Sequence, residues 1–321
     1  MWMTWQEAFQ RALYGEDGFY MRERPSGHFR TSVGASPVFA AAVLRLLIIV
    51  DARLGGPDRL DLVDIGSGDG LLVTEVLRAA EPELAGRLRV TAVDLSPRPA
   101  GLPEGIAWTA ALPESITGLA IANEWLDNVP VDVAERTPEG PRLVLVDPGT
   151  GAERLGGPPQ DADRLWLERW WPLGSTGLRA EIGRPRDEAW AAVVTRLTRG
   201  LAVAVDYAHP VDNRPPLGTL AGYRDGACVP AVPDGSCDIT AHVALDACAA
   251  AGERAGAIST TLTTQRQALR DLGVTGARPP LSLASTDPGG YLRALARASE
   301  EAELIDPDGL GGFGWLGQWK I

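Results

Sequence analysis

The chain has 321 residues, enough for one large domain or two modest ones. Hydrophobic residues make up 45% and charged residues 22%, a balance that excludes a disordered chain, a collagen-like rod and a coiled coil. The 42 acids outnumber the 30 bases and leave a net charge of −12, which argues against a bulk electrostatic grip on nucleic acid or anionic lipid and favours cationic partners.

The opening segment MWMTWQEAFQRAL puts Trp2, Trp5, Phe9 and Leu13 on one helical face. It has neither the basic start nor the apolar middle of a signal peptide, so residues 1–35 read as a docking helix and a loop. Ser36-Pro37 is a helix start, and the apolar run Val38 to Val50 that follows, broken by Arg45, falls short of the roughly 20 residues that span a membrane. No bilayer crossing is expected. A strand at Leu60 to Ile65, a glycine-rich turn, a helix at Leu71 to Ala80 and strands at Arg89 to Asp94 and Leu119 to Asn123 alternate as a parallel α/β sheet does. After Pro130 the runs Val131 to Arg136 and Arg142 to Val146 flank a turn and predict an antiparallel hairpin. Residues 147–165 read as loop, Arg186 to Arg199 as a helix, and Leu201 to Val205 as a further strand. Residues 209–237, rich in proline and glycine, read as a flap without regular structure. The expected organisation is a core of 36–130 and 186–321 with an antiparallel insertion at 131–185. Cys228, Cys237 and Cys248 form no CxxC pair, and His28, His209 and His242 lie far apart. No structural zinc is expected, and a reducing, cytoplasmic setting is.

The segment LVDIGSGDGLL carries the most chemistry. Its strand delivers Gly66, Gly68 and Gly70 ahead of a helix, so the backbone can come close to a ligand. A dinucleotide fingerprint would place a third glycine where Leu71 stands, which counts against a pyrophosphate. Asp64, Asp69 and Asp94 surround the loop instead, and Asp94, ending the next strand, is placed for a ribose diol. Such acids suit the cationic end of S-adenosylmethionine better than NAD or a nucleoside triphosphate. A plain strand-to-helix turn is the other reading. In IANEWLDNVPVD, Glu124 and Asp127 stand three apart. A helical turn after Asn123 would put both carboxylates on one side, to grip a guanidinium or take a proton. The alternative is an Asn123 cap with a surface Asp127. Trp125 reads more as packing than as recognition.

Across nearly the whole length, the chain resembles the MidA family of class I S-adenosylmethionine-dependent methyltransferases. The resemblance rests on ALYGEDGFY (12–20), GHFRTSVGASPVF (27–39), DIGSGDGLL (64–72), ANEWLDNVPV (122–131), VDYAHP (205–210), TLAGYR (219–224), DITAHV (238–243) and TTQRQALRDLG (263–273). It implies a Rossmann-like methyltransferase core with an N-terminal helical segment and a family-specific β/helical insertion. It also implies an activity similar to that of the mitochondrial protein arginine methyltransferases that assist complex I assembly. The chain departs from the family pattern at Gly27-His28, Val33-Gly34 and Arg266, which puts the acceptor in question more than the cofactor.

The sequence therefore predicts an S-adenosylmethionine-dependent methyltransferase acting on arginine nitrogen. The catalytic residues expected are Glu124, Asp127 and Asp206, the last ending a strand at the rim of the sheet. The cofactor set expected is Thr31, Ser32, Ser36, Asp64, Gly66, Ser67, Gly68, Asp94, Leu95, Leu112, Asn123 and Glu124. His28, Trp125, Tyr207 and His242 are expected at the acceptor. Helix capping by Ser36, a core ring for Tyr207 and structural hydrogen bonding for His242 are the alternatives. A protein or small-molecule acceptor and a homodimer are the expected partners. Small-molecule N- or O-methylation and a non-catalytic assembly role are the rival functions.

Overall fold

The computed structural model describes residues 1–23 and 32–321; the expected sites at His28 and Thr31 lie outside the described residues. The central sheet is built from β1 (Leu60–Ile65), β2 (Leu88–Val93), β3 (Ile106–Thr109), β4 (Ile116–Asn123), β5 (Leu197–Asp206), β6 (Ser259–Thr264) and β7 (Gly314–Lys320). Its order is β6-β7-β5-β4-β1-β2-β3, with β7 antiparallel to both its neighbours and the remaining recorded pairings parallel. The chain reverses direction across the sheet between β1 and β4, and α/β folds bind ligands at such a switch point. The Rossmann-like expectation is met.

Every residue of β1 is buried, as in a parallel sheet covered on both faces. The pleat sends Leu60 and Leu62 into one core with Phe39, Val43, Leu47 and Val50, which belong to helix α1 (Pro37–Leu54). Val63 and Ile65 point the other way, into a core with Trp190, Val193 and Val194 of α2 (Arg184–Arg196). Ser36 caps α1 by accepting from the Val38 amide, with Pro37 in the first turn. At the amino terminus, Thr4 and Glu7 form a reciprocal capping box on the helix Trp5–Tyr14. That helix begins at Trp5, so Trp2 lies before it, 37% exposed.

The insertion is more ordered than its composition suggests. Strands Asp132–Thr137 and Gly140–Val146 pair as an antiparallel hairpin closed at Thr137 and Gly140. The stretch read as loop holds a strand, Glu153–Leu155, and the start of a helix, Asp161–Trp170. The N-terminal segment joins this layer: Met3–Thr4 pairs with Val146 and Leu145, and Trp5 and Ala8 share a core with Val133, Val144 and Val146. The flap is also corrected. Ala221–Arg224 pairs antiparallel with both Ala227–Val229 and Asp238–Thr240. Its hairpin turns on Asp225 and Gly226, both at positive φ, as a two-residue Asp-Gly turn requires. Among the described residues no helix is long and apolar enough to cross a membrane.

Candidate active site

A cavity of about 330 Å³ opens at the carboxyl ends of β1, β2 and β4. One end of it is the loop after β1. Gly66, Gly68 and Gly70 all have positive φ, and a Cβ on Gly66 would stand 2.7 Å from Cδ1 of Trp125. Glycine there lets the indole close against the loop. The Gly68 amide donates to Asp94 Oδ2 at 2.8 Å and the Ser96 amide to Oδ1 at 2.8 Å. Each carboxylate oxygen keeps a second lone pair, which a diol could fill. Val93, Leu95, Ala110 and Leu112 give this end an apolar wall.

Behind the loop, Asp64 accepts from the Ser67 hydroxyl at 2.6 Å. Burial raises its pKa to about 7, against the lowering effect of that hydrogen bond, with Asp94 and Asp69 adding to the rise. Glu124 links the two ends. It is a non-glycine residue at φ 52, anchored by its amide on the Val205 carbonyl at 2.8 Å. Its Oε1 accepts from the Ser32 amide (2.9 Å) and from Asn123 Nδ2 (3.0 Å). Burial again dominates and pushes its pKa up to about 7. The expected helical turn is a single 3-10 turn, Leu126–Asn128, that starts after Glu124. Both Glu124 and Asp127 still line the cavity, brought there by the left-handed residue rather than by helical spacing.

At the other end Asp127 Oδ2 accepts from the Thr240 hydroxyl at 2.6 Å. Its Oδ1 and the Asn123 Oδ1 are buried without a hydrogen-bond partner among the described residues. The Tyr20 hydroxyl lies 2.8 Å from Asp238 Oδ1 and 3.0 Å from Asn128 Oδ1. One hydroxyl proton serves one acceptor at a time, and Asn128 Nδ2 also donates to Asp238 Oδ1, at 3.2 Å. Burial, with Asp127 nearby, raises the Asp238 pKa to about 8. Tyr14, Tyr207 and Tyr223 complete this wall.

Several expected site residues stand elsewhere. Asp206 is fully buried and does not line the cavity. Its Oδ2 instead receives the amides of Trp125, Leu126 and Asp127, so the catalytic expectation is corrected to a positioning one. Ser36 caps α1 and donates to Glu300 at 2.8 Å. Ser32 donates from its hydroxyl to Gln265 and reaches the site only through its amide on Glu124. His242 does not line the cavity; its ring stacks on Tyr207 at 5.5 Å. The lining residues the sequence reading did not assign include Tyr14, Tyr20, Asn128, Tyr223, Asp238 and Thr240. All six lie in segments already singled out by the family resemblance, and none has a spacing signal of its own.

Charge decides what the cavity can hold. Glu23, Asp64, Asp69, Asp94, Glu124, Asp127 and Asp238 line it, and the described lining residues include no lysine, arginine or histidine. Anionic phosphates are disfavoured there, whereas an adenosyl sulfonium fits the apolar wall, the free lone pairs of Asp94 and the acids. A family model described as "Putative S-adenosyl-L-methionine-dependent methyltransferase" matches residues 46–263, more than half of the chain. The chain belongs to this methyltransferase family. It is similar to a COG1565 superfamily member from Burkholderia thailandensis, whose crystal structure holds S-adenosyl-homocysteine. The two share 26% identity at a TM-score of 0.82, over 99% of this chain and 88% of the other. A native crystal structure of a COG1565 superfamily protein from the same organism matches with the same identity and TM-score, over 99% and 87%. No curated protein matches the sequence. The methyltransferase is thus an enzyme that uses S-adenosylmethionine.

Proposed function

We propose that this methyltransferase is of MidA type and methylates a nitrogen of a protein arginine side chain. The observation carrying this reading is the acceptor end of the cavity. Two buried oxygens, Asn123 Oδ1 and Asp127 Oδ1, lack partners there among the described residues, and the described wall carries acids and tyrosines without a base. Buried acceptors left unpaired are costly, so a ligand rich in N–H donors and positive charge complements them. A guanidinium has five such donors in a plane.

S-adenosylmethionine, when bound, supplies a methyl group already activated on a sulfonium. The chain's own task is to hold the acceptor nitrogen in line, about 3 Å from that methyl, which turns an encounter into a first-order step. Asp127 and Asn123 orient the guanidinium. Because its pKa exceeds about 12, its proton leaves only as the methyl arrives. Glu124, poised with a pKa of about 7, is the group suited to receive it.

The test is mass spectrometry of a cell lysate incubated with the protein and heavy-methyl cofactor. Label on arginine of a protein is expected. Label confined to metabolites, or to other protein side chains, overturns the arginine reading while leaving the cofactor assignment intact. In Glu124→Gln, S-adenosylhomocysteine should still bind and transfer should fall by about 100-fold, the scale typical of a lost acid-base group. Transfer at the wild-type rate would remove Glu124 from the mechanism.

A further inference from the structure

The 3-10 turn Leu126–Asn128 carries Asp127 into the cavity, and a buried acid and a buried base, whose burial raises the pKa of Asp206 and lowers that of Arg186, hold it from its two ends. At the amide end, Asp206 Oδ2 receives Trp125 (3.2 Å), Leu126 (2.9 Å) and Asp127 (3.2 Å), while Oδ1 receives Tyr207 (2.9 Å). At the carbonyl end, Arg186 donates to the main-chain oxygens of Asp127 (2.6 Å) and Val129 (3.1 Å). The same guanidinium also donates to Ala241 O (2.8 Å) and His242 O (2.9 Å). These follow directly on Asp238–Thr240, the strand whose residues meet Asp127, Asn128 and Tyr20. Asp206 is 0% and Arg186 1% exposed.

Burying a full charge is expensive unless hydrogen bonds replace its water. Here the polar ends of one turn supply part of the replacement, and the Tyr207 amide and the Ala241 and His242 carbonyls supply the rest. Unpaired amides gather positive charge at the start of a helical turn and unpaired carbonyls gather negative charge at its end, so an acid before it and a base after it both match. The four carbonyls lie on two separate chain segments, and a planar fork with five donors can reach both. A lysine has three donors on a single nitrogen and cannot span them.

We propose that Asp206 and Arg186 are paired positioning residues that act through this turn, locking Asp127 and Asn128 against the Asp238–Thr240 strand so that the acceptor meets a preformed site. Neither lines the cavity, and the role holds whichever nitrogen compound is methylated.

The test compares Arg186→Lys, Arg186→Gln and Asp206→Asn with the wild type by amide hydrogen exchange and by calorimetry with S-adenosylhomocysteine. Exchange over residues 125–129 should rise at least tenfold in each variant, with exchange in β1 and β4 unchanged and cofactor-product affinity within about twofold. Local opening without global loosening is what distinguishes a clasp from a general stabiliser. These measurements need no acceptor and decide alone. With the acceptor from the heavy-methyl experiment in hand, kcat should fall at unchanged KM for S-adenosylmethionine. Unchanged exchange over 125–129 would overturn the proposal, as would an equal rise throughout the sheet or loss of S-adenosylhomocysteine binding. Wild-type exchange in Arg186→Lys would show that charge alone suffices and overturn the fork.

Discussion

A methyl group added at Gly66 would press on the Trp125 indole, since its Cβ would stand 2.7 Å from the ring and its φ is +71°. Gly66→Ala is expected to cost about 1 to 2 kcal/mol for the left-handed backbone alone, read as a lowered melting temperature. Gly68→Val should abolish calorimetric binding of S-adenosylhomocysteine while leaving the circular dichroism of the fold in place. Glu124 gives a charge-specific prediction. Burial holds its pKa near 7, so it becomes anionic as pH rises from 6 to 8. S-adenosylmethionine carries a positive sulfonium and its product does not. The affinity ratio of donor over product should therefore rise through this window, and Glu124→Gln should flatten it; a flat ratio in the wild type would place the sulfonium away from Glu124. The donor end was legible because its determinants are local: Asp64 to Gly70 is one short stretch, and Asp94 ends the neighbouring strand. The acceptor end was not. Tyr20 meets Asp238 across a separation of 218 residues, and no spacing rule connects residues so far apart. Asp206 shows the limit in another way, since its place at a strand end was readable while the direction of its carboxylate, toward three amides, was not.

Among the elements, β4 and β5 touch most closely at Gly118 and Gly200, which are partners in the parallel ladder. A Cβ on Gly200 would fall 1.9 Å from the Gly118 carbonyl oxygen. Gly200→Ala should therefore destabilise the fold by about 1 to 3 kcal/mol or more, the usual cost of overfilling a packed interior. Because this contact lies at the opposite end of the strands from the cavity, the folded fraction should bind S-adenosylhomocysteine as the wild type does. Denaturant titration followed by calorimetry checks both halves. The long buried strands and α1 were readable from apolar runs and from the Ser36-Pro37 start. β3, only Ile106–Thr109, is too short for alternation to stand out. The helix Asp161–Trp170 announces itself only by Asp161 and Asp163 in its first turn, a favourable charge at a helix start. In the flap the Asp225-Gly226 pair was a hairpin signal that the surrounding prolines obscured.

For the whole molecule, buried acids, three of them at the cavity, set the response to pH above about 6.5; below it the buried His209, pushed down to about 3, acts in the opposite sense. Burial raises Asp64 and Glu124 to about 7 and Asp238 to about 8. In the unfolded chain they would titrate near 4, so between about pH 4 and 8 the folded form holds protons that the unfolded form has lost. Their contribution to stability is complete below the unfolded values and drains away as pH rises through 7 to 8. The ligand-free melting temperature should fall between about pH 6.5 and 8.5, above the unfolded histidine value, and S-adenosylmethionine should raise it more at pH 8 than at pH 6, as scanning calorimetry would show. A rise across that range without ligand would contradict the buried acids. The sheet's strand-helix alternation was visible in the chain, but the merging of residues 1–14 with the insertion layer was not, because it depends on Met3–Thr4 adding to a strand more than a hundred residues away. The two ends of the cavity come from different stretches of chain. The glycine loop and its neighbours build one; the segment bearing Tyr14 and Tyr20 and the small sheet bearing Tyr223 and Asp238 build much of the other. Under the proposed function, substitutions confined to those outer additions should alter which acceptor is methylated and leave affinity for the methyl donor in place.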